Sequence, residues 1–356
     1  MKKQKDRLLN LKGKNRTTNM TLINEKSITV KNFIDVRFFY ENVRNRFNLN
    51  LLTSEEGFDR KIQDPNVHRP GLALAGYLDI FSYHRIQIFG NTEMKYLKSL
   101  TTEVRRASLE KFFSFDIPCI VITNENKIFD EMAELATKFK VPVFVSPFST
   151  TKLVYFISDF LDDQFAPKVS IHGSFVDVYG VGVLFIGKSG IGKSEVALDL
   201  IERGHRLVAD DLVILTKKGE GILMGSGTDV VKHFMEIRGL GLINIEKMFG
   251  IRAIRYQKRA EVIVELENWD PGGDYDRTGL DENTMSILGV NIPHIKLPII
   301  PGKNITVISE VISLNYLLKH YGYDAARVLQ HKLTDRLRQK KGEIGRGVDY
   351  FEHDFE

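Results

Sequence analysis

The chain has a single cysteine, Cys119, among 356 residues, so no disulfide can close within it. Cys119 stands in the apolar run Pro118-Cys119-Ile120-Val121-Ile122 and reads as a packed small hydrophobe of a cytoplasmic protein. Long hydrophobic runs are also missing. No stretch approaches the roughly 18 apolar residues of a membrane span. With 43% apolar residues, the composition is that of a soluble globular protein, long enough for two domains. Charge of one sign is scarcely in excess. Fifty basic against 46 acidic residues leave a net charge of +4 and give no sign of a nucleic-acid surface. Much of that excess is local, because residues 1–19 carry Lys2, Lys3, Lys5, Arg7, Lys12, Lys14 and Arg16 against Asp6 alone. They lack the apolar core of a secretory signal, and residues 1–26 read as a basic, disordered tail. Neither HExxH nor CxxC nor any other His/Cys ligand spacing occurs, which points away from zinc and towards oxygen-ligated Mg²⁺.

What is present centres on Gly187-Lys188-Ser189-Gly190-Ile191-Gly192-Lys193-Ser194, which fits G-x-x-x-x-G-K-[ST]. Glycines in such a loop let backbone N–H groups close on an anion, while the lysine and hydroxyl reach phosphates and Mg²⁺. The context agrees. Val181 to Ile186 is a short apolar run that reads as a buried strand. Val196, Ala197, Leu198, Leu200 and Ile201 then recur at helical spacing until Gly204. The loop therefore opens a helix whose N-terminal dipole faces the phosphates.

Upstream, from Ser27 to Asp163, helical and strand patterns alternate as in a layered α/β domain with a largely parallel sheet. The pattern predicts strands at 86–89, 119–123 and 141–145, one long helix over 93–113 and another over 127–139. The polar segment Asp162 to Pro167 is read as the boundary, giving domains 27–163 and 164–340 and a disordered tail over 341–356. Short strands around Val169, Ile171, Phe175, Val176 and Val178 then deliver the chain to the loop and put His172 just upstream of it. Structural and functional readings of His172 stay equally open. Downstream, Arg206 to Asp211 is a short apolar strand ending in two acids, the form of a Walker B element, although a solvated turn has the same appearance. Residues 235–245 combine Glu236, Arg238 and two glycines. Glu236 could give Mg²⁺ an oxygen and Arg238 could pair with phosphate. Arg277 is the one basic residue of a glycine-bearing loop and could clamp a transition state. Two C-terminal helices follow a turn at Pro298 to Asn304. The second, over 324–339, carries the apolar stripe Ala325, Val328, Leu329, Leu333 and Leu337.

In this order the pieces resemble the bacterial HPr kinase/phosphorylase family. The resemblance runs from Ser27 to Arg338 through Arg69-Pro70-Gly71-Leu72, His172-Gly173, the loop, Arg203 to Asp211, and Glu236-Ile237-Arg238-Gly239-Leu240-Gly241, the family's own signature. Lys188 stands where the family commonly has aspartate, Thr278 where it has leucine and Lys303 where it has arginine. The resemblance implies an N-terminal α/β domain followed by a phosphate-loop kinase domain related to phosphoenolpyruvate carboxykinases. It further implies a cytoplasmic hexamer whose C-terminal helices reach the neighbouring subunit. Its activity would be phosphorylation of a serine on the phosphocarrier protein HPr by ATP or pyrophosphate, and phosphorolysis of phosphoserine-HPr by inorganic phosphate. Gly187 to Ser194 would bind the donor, and Ser194 and Glu236 would hold Mg²⁺. Asp210 would be the proton acceptor and, in reverse, donor, with His172, Lys193 and Arg277 completing the site. Two rival readings stand beside it: a phosphate-loop kinase of a small metabolite, the nearer one, and a nucleotide-gated regulatory module that transfers nothing, against which the intact Lys193, Ser194, Asp210 and Arg277 argue.

Overall fold

A computed structural model describes residues 28–228, 231–270 and 283–342. The chain divides into two compact units, one of Thr29–Pro167 and one beginning at Lys168.

The short strand β1 (Ile28–Thr29) joins the edge of a sheet with the later strand Lys168–His172, and the first unit then runs through β2 (Ile34–Asp35), α1 (Val36–Phe47), β3 (Asn50–Leu51), β4 (Lys61–Ile62), β5 (Val67–His68) and α2 (Gly71–Leu74). Next come β6 (Ile86–Phe89), α3 (Asn91–Ser99), α4 (Thr102–Phe113), β7 (Ile120–Ile122), α5 (Asp130–Lys138), β8 (Val143–Val145) and α6 (Thr150–Phe165). The sheet order is β3-β8-β7-β6-β5, parallel except for β3 at the edge. Strand alternation sorts its side chains into two cores. Ile120 and Ile122 pack with Leu109, Phe112 and Leu135, whereas Val121 packs with Phe39, Phe47, Leu153 and Ile157. Cys119 belongs to the second core, and burial pushes its thiol well above the usual range, so it is inert.

One expectation changes here. The helix predicted over 93–113 is two helices, because Leu100 and Thr101 are extended and the Thr101 hydroxyl accepts the Val104 N–H as a fresh N-cap. Within the segment Asp162 to Pro167, where the units divide at Pro167, the first residues form the last turn of α6, which continues to Phe165. The buried stripe Leu153, Ile157 and Leu161 holds it helical against the pull of the acids.

The second unit runs through β9 (Lys168–His172), β10 (Ser174–Val178), β11 (Val181–Gly187), α7 (Lys193–Glu202), β12 (Arg206–Ala209), β13 (Leu212–Lys218) and β14 (Ile222–Ser226). It continues with β15 (Phe234–Ile237), β16 (Gly241–Asn244), α8 (Ile245–Phe249), β17 (Gln257–Arg259), β18 (Val262–Asn268), β19 (Thr284–Ile287), β20 (Val290–Ile299), α9 (Ile305–His320) and α10 (Ala325–Gly342). A six-stranded central sheet has the order β12-β10-β11-β18-β20-β19, with β11, β18 and β20 parallel. A second sheet, antiparallel in the run β9-β13-β14-β17, covers one face. Along β11 the sides again alternate. Val183 and Phe185 pack under α7 with Val196, Ala197 and Leu200, while Leu184 and Ile186 face Ile171, Val213 and Leu215 of the second sheet. The loop thus leaves the end of a strand packed on both faces. No helix among the described residues is long and apolar enough to cross a membrane.

Candidate active site

The loop leaves β11 at Gly187, where a close approach excludes a side chain. A β-carbon on Gly187 would collide with the Leu266 carbonyl, and Gly187 and Gly192 have φ of 143° and 104°. Gly192 caps α7, so its first residue, Lys193, and the next, Ser194, stand at the positive end of the helix. Lys188, Ser189 and Gly190 are exposed, whereas Ile191 packs against the core under α7. The Lys193 ammonium is buried and donates to the carbonyl oxygens of Gly187 and Lys188, each at 3.1 Å. Burial pulls its pKa down, with Arg238 adding to the effect, while the carboxylates of Asp210, Asp211 and Glu195 oppose it.

Two crossings between the sheets bring the remaining groups together. The chain passes from β9 to β10 at His172-Gly173-Ser174 and from β12 to β13 at Asp210-Asp211-Leu212. These crossings lie side by side: Leu212 pairs with His172, and the Gly173 N–H donates to the Asp211 carbonyl at 3.1 Å. A β-carbon at Gly173 would strike the Phe185 carbonyl, so only glycine lets the first crossing lie this close to β11. Asp211 adopts φ 65°, an uncommon conformation for a non-glycine residue, and the turn aims consecutive carboxylates in different directions.

Asp210 points inward and is 5% exposed. The Ser194 hydroxyl donates to it at 2.9 and 3.1 Å from its two oxygens, and the Ser174 hydroxyl donates to Oδ1. Burial raises its pKa above the usual carboxylate range, although the bonds from both serines oppose the shift. Asp211 points outward. Its side chain is 68% exposed, and its Oδ1 lies 2.9 Å from Nδ1 of the half-exposed His172. The two acids that the sequence shows as one motif are therefore a buried partner of the loop serine and a solvent-facing partner of the histidine.

Glu236 is exposed on β15, opposite Leu242 in the β15–β16 hairpin. Two residues on, Arg238 reaches the loop tip, where a side chain at Gly190 would run into its guanidinium. Arg277 lies outside the described residues. Ser174 escaped the sequence reading, since a serine after His-Gly carries no signal until the neighbouring crossing supplies Asp210. Among the described residues no three His, Cys, Asp or Glu side chains gather as a metal cage. The Ser194–Asp210 pair does suit Mg²⁺, which keeps several waters and needs only one or two protein groups besides substrate phosphates.

Residues 36–161 match the family described as HPr Serine kinase N terminus, and residues 163–333 match that described as HPr Serine kinase C-terminal domain. The chain is 53% identical over 339 residues to the HPr kinase/phosphorylase of Chloroherpeton thalassium, covering 94% of this chain and 98% of that relative. It is 50% identical over 330 residues to the HPr kinase/phosphorylase of Prosthecochloris aestuarii, covering 92% and 97%. The solved Hpr(Ser) kinase/phosphatase of Coxiella burnetii is 35% identical, over 45% of this chain and 97% of that one, with a TM-score of 0.41. The chain belongs to the HPr serine kinase/phosphorylase family.

Proposed function

We propose that this protein transfers the terminal phosphoryl group of ATP, or of pyrophosphate, to a serine of the phosphocarrier protein HPr, and runs the reaction back by phosphorolysis. The observation that carries the proposal is the pair of adjacent crossings, which sets one carboxylate under the phosphate loop and the next at its mouth. Gly187, Lys188, Ser189, Gly190, Ile191 and Gly192 would wrap the donor's phosphates with backbone N–H groups. The Lys193 ammonium would move from its carbonyl partners to phosphate oxygen.

Ser194 and Glu236 would hold Mg²⁺, with Asp210 bonded to the Ser194 hydroxyl. When bound, the ion offsets charge on the phosphate oxygens and fixes their orientation. Asp210, which the resemblance singles out, is the proton acceptor in this reading. Burial raises its pKa and so strengthens its carboxylate as a base, and it bonds the Ser194 hydroxyl of the phosphate loop. As the serine oxygen attacks the terminal phosphorus, its proton passes to Asp210 and the bond to the leaving phosphate oxygen breaks. His172, bonded to the neighbouring Asp211, would complete the site with Lys193. In reverse, inorganic phosphate attacks the phosphoserine phosphorus, pyrophosphate forms, and protonated Asp210 returns its proton to the serine oxygen. Arg277 would stabilise the transferring group's charge.

The same reading includes a cytoplasmic hexamer, supported by apolar positions left open on α9 and α10. Its test is incubation with ATP, Mg²⁺ and the host's HPr: phosphoserine on HPr supports it, and labelling of a small metabolite alone refutes it.

A further inference from the structure

On the face of the central sheet turned away from α7, the two sheets leave a pocket of about 230 Å³ beside the phosphate loop. Its walls are Ile171, Leu184, Ile186, Ile263, Met285 and Ile287, all buried. The exposed members of its lining, His172, Lys188 and Ser189, form its rim. No side chain in the walls carries a hydrogen-bonding group. The volume lies below the roughly 300–1,000 Å³ of sites that enclose a whole small ligand. Such a space suits one apolar group attached to something larger that stays outside.

The rim decides which larger molecule. His172 lines the pocket and also bonds Asp211, so an occupant lies next to the acid pair at the mouth of the phosphate loop, where the incoming hydroxyl must arrive. A purine would leave its ring nitrogens unread in these walls, and unpaired polar edges weaken binding. We propose that this pocket receives an apolar side chain flanking the target serine of the acceptor protein, and that Met285 and Ile287 thereby help choose which serine is phosphorylated. The proposal rests on the reading that the substrate is a protein serine.

The donor pair supplies the control, because pyrophosphate has no base. Narrowing the pocket with Met285→Phe should raise KM for HPr about ten- to a hundredfold, the value of burying one large apolar side chain. The rise should be the same with ATP and with pyrophosphate, while KM for each donor holds. A second arm uses wild-type enzyme and HPr variants in which each apolar residue near the serine is replaced in turn by serine. One replacement should reproduce the KM rise, with circular dichroism confirming that the HPr variant is folded. A rise in KM for ATP alone, with pyrophosphate and HPr unaffected, would assign the pocket to the nucleobase and overturn the proposal. Equal KM for all HPr variants would overturn it without any enzyme variant having to fold. Absence of any phosphoserine on HPr with wild-type enzyme would overturn the proposed function itself and remove the occupant with it.

Discussion

Asp210 and Asp211 share a sequence motif but not an environment, and the difference separates their variants. Asp210→Asn removes the proton acceptor and should lower serine phosphorylation and phosphorolysis by about 10²- to 10⁴-fold while ATP binding survives. Equal loss in Asp211→Asn with an unchanged Mg²⁺ requirement would reverse the assignment. Asp211→Asn should do less to the proton step and more to the Mg²⁺ concentration needed for half-maximal rate. The Asp210→Asn variant has a stability signature as well. Burial raises the Asp210 pKa, so the folded protein binds that proton more tightly than the unfolded chain. Wild-type stability should therefore fall as pH rises from the ordinary carboxylate value through the raised one. Asparagine, uncharged and able to bond both serines, should make the ligand-free protein melt higher than wild type above that window and no higher below it. Thermal unfolding at several pH values reads this directly. Lys193→Ala should abolish both directions, since one cradle serves ATP, pyrophosphate and phosphate. Of these residues, the loop was legible because its chemistry is contiguous in the chain. The pairing of His172 with Asp211 and of Ser174 with Asp210 was not, because it comes from two strand crossings that meet only in the folded unit.

At the scale of elements, the strands were the most readable feature, since their buried alternation is strong in sequence. Helix ends were less so. The 93–113 stretch keeps helical spacing across Leu100, and only the Thr101 cap breaks it. Polar residues at the end of α6 carry no helical signal of their own because the stripe that buries the helix stops at Leu161. Between α7 and α9, a clamp that has no motif at all fixes the geometry behind the loop. Glu310 on α9 accepts from Arg203 through both oxygens, at 2.9 and 2.6 Å, and lies 3.0 Å from the His205 ring nitrogen. The Thr306 hydroxyl also donates to Asp199 at 3.2 Å. Bonds from Arg203, and with less effect His205, hold the Glu310 pKa below its usual value. Its contribution is therefore present above the ordinary glutamate pKa and fades as pH falls through the lowered one. Glu310→Ala should destabilise by about 1–2 kcal/mol at neutral pH, a value kept small because Arg203 is half-exposed and can turn to water. Denaturant unfolding should show the gap closing in acid. A pH-independent gap would mean that packing, not charge, carries it.

Across the whole molecule, the sequence reads as two α/β domains, and each of the two units has its own paired cores on the two faces of a sheet. What the chain alone cannot complete is the surface of its last helices. Val311, Leu314 and Leu318 on α9 and Leu329, Leu333 and Leu337 on α10 are all 45% exposed or more. A chain truncated after Tyr323 should sediment as smaller particles than the full-length protein, and unchanged particles would contradict assembly through α10. The most direct measurement of the central claim is mass spectrometry of the host's HPr after incubation with this protein, Mg²⁺ and either ATP or pyrophosphate, followed by addition of inorganic phosphate. One phosphoserine should appear on HPr with either donor and disappear after phosphate is added, with pyrophosphate released. HPr that stays unmodified while ATP is consumed on a small molecule, or is bound and not consumed, would contradict the account.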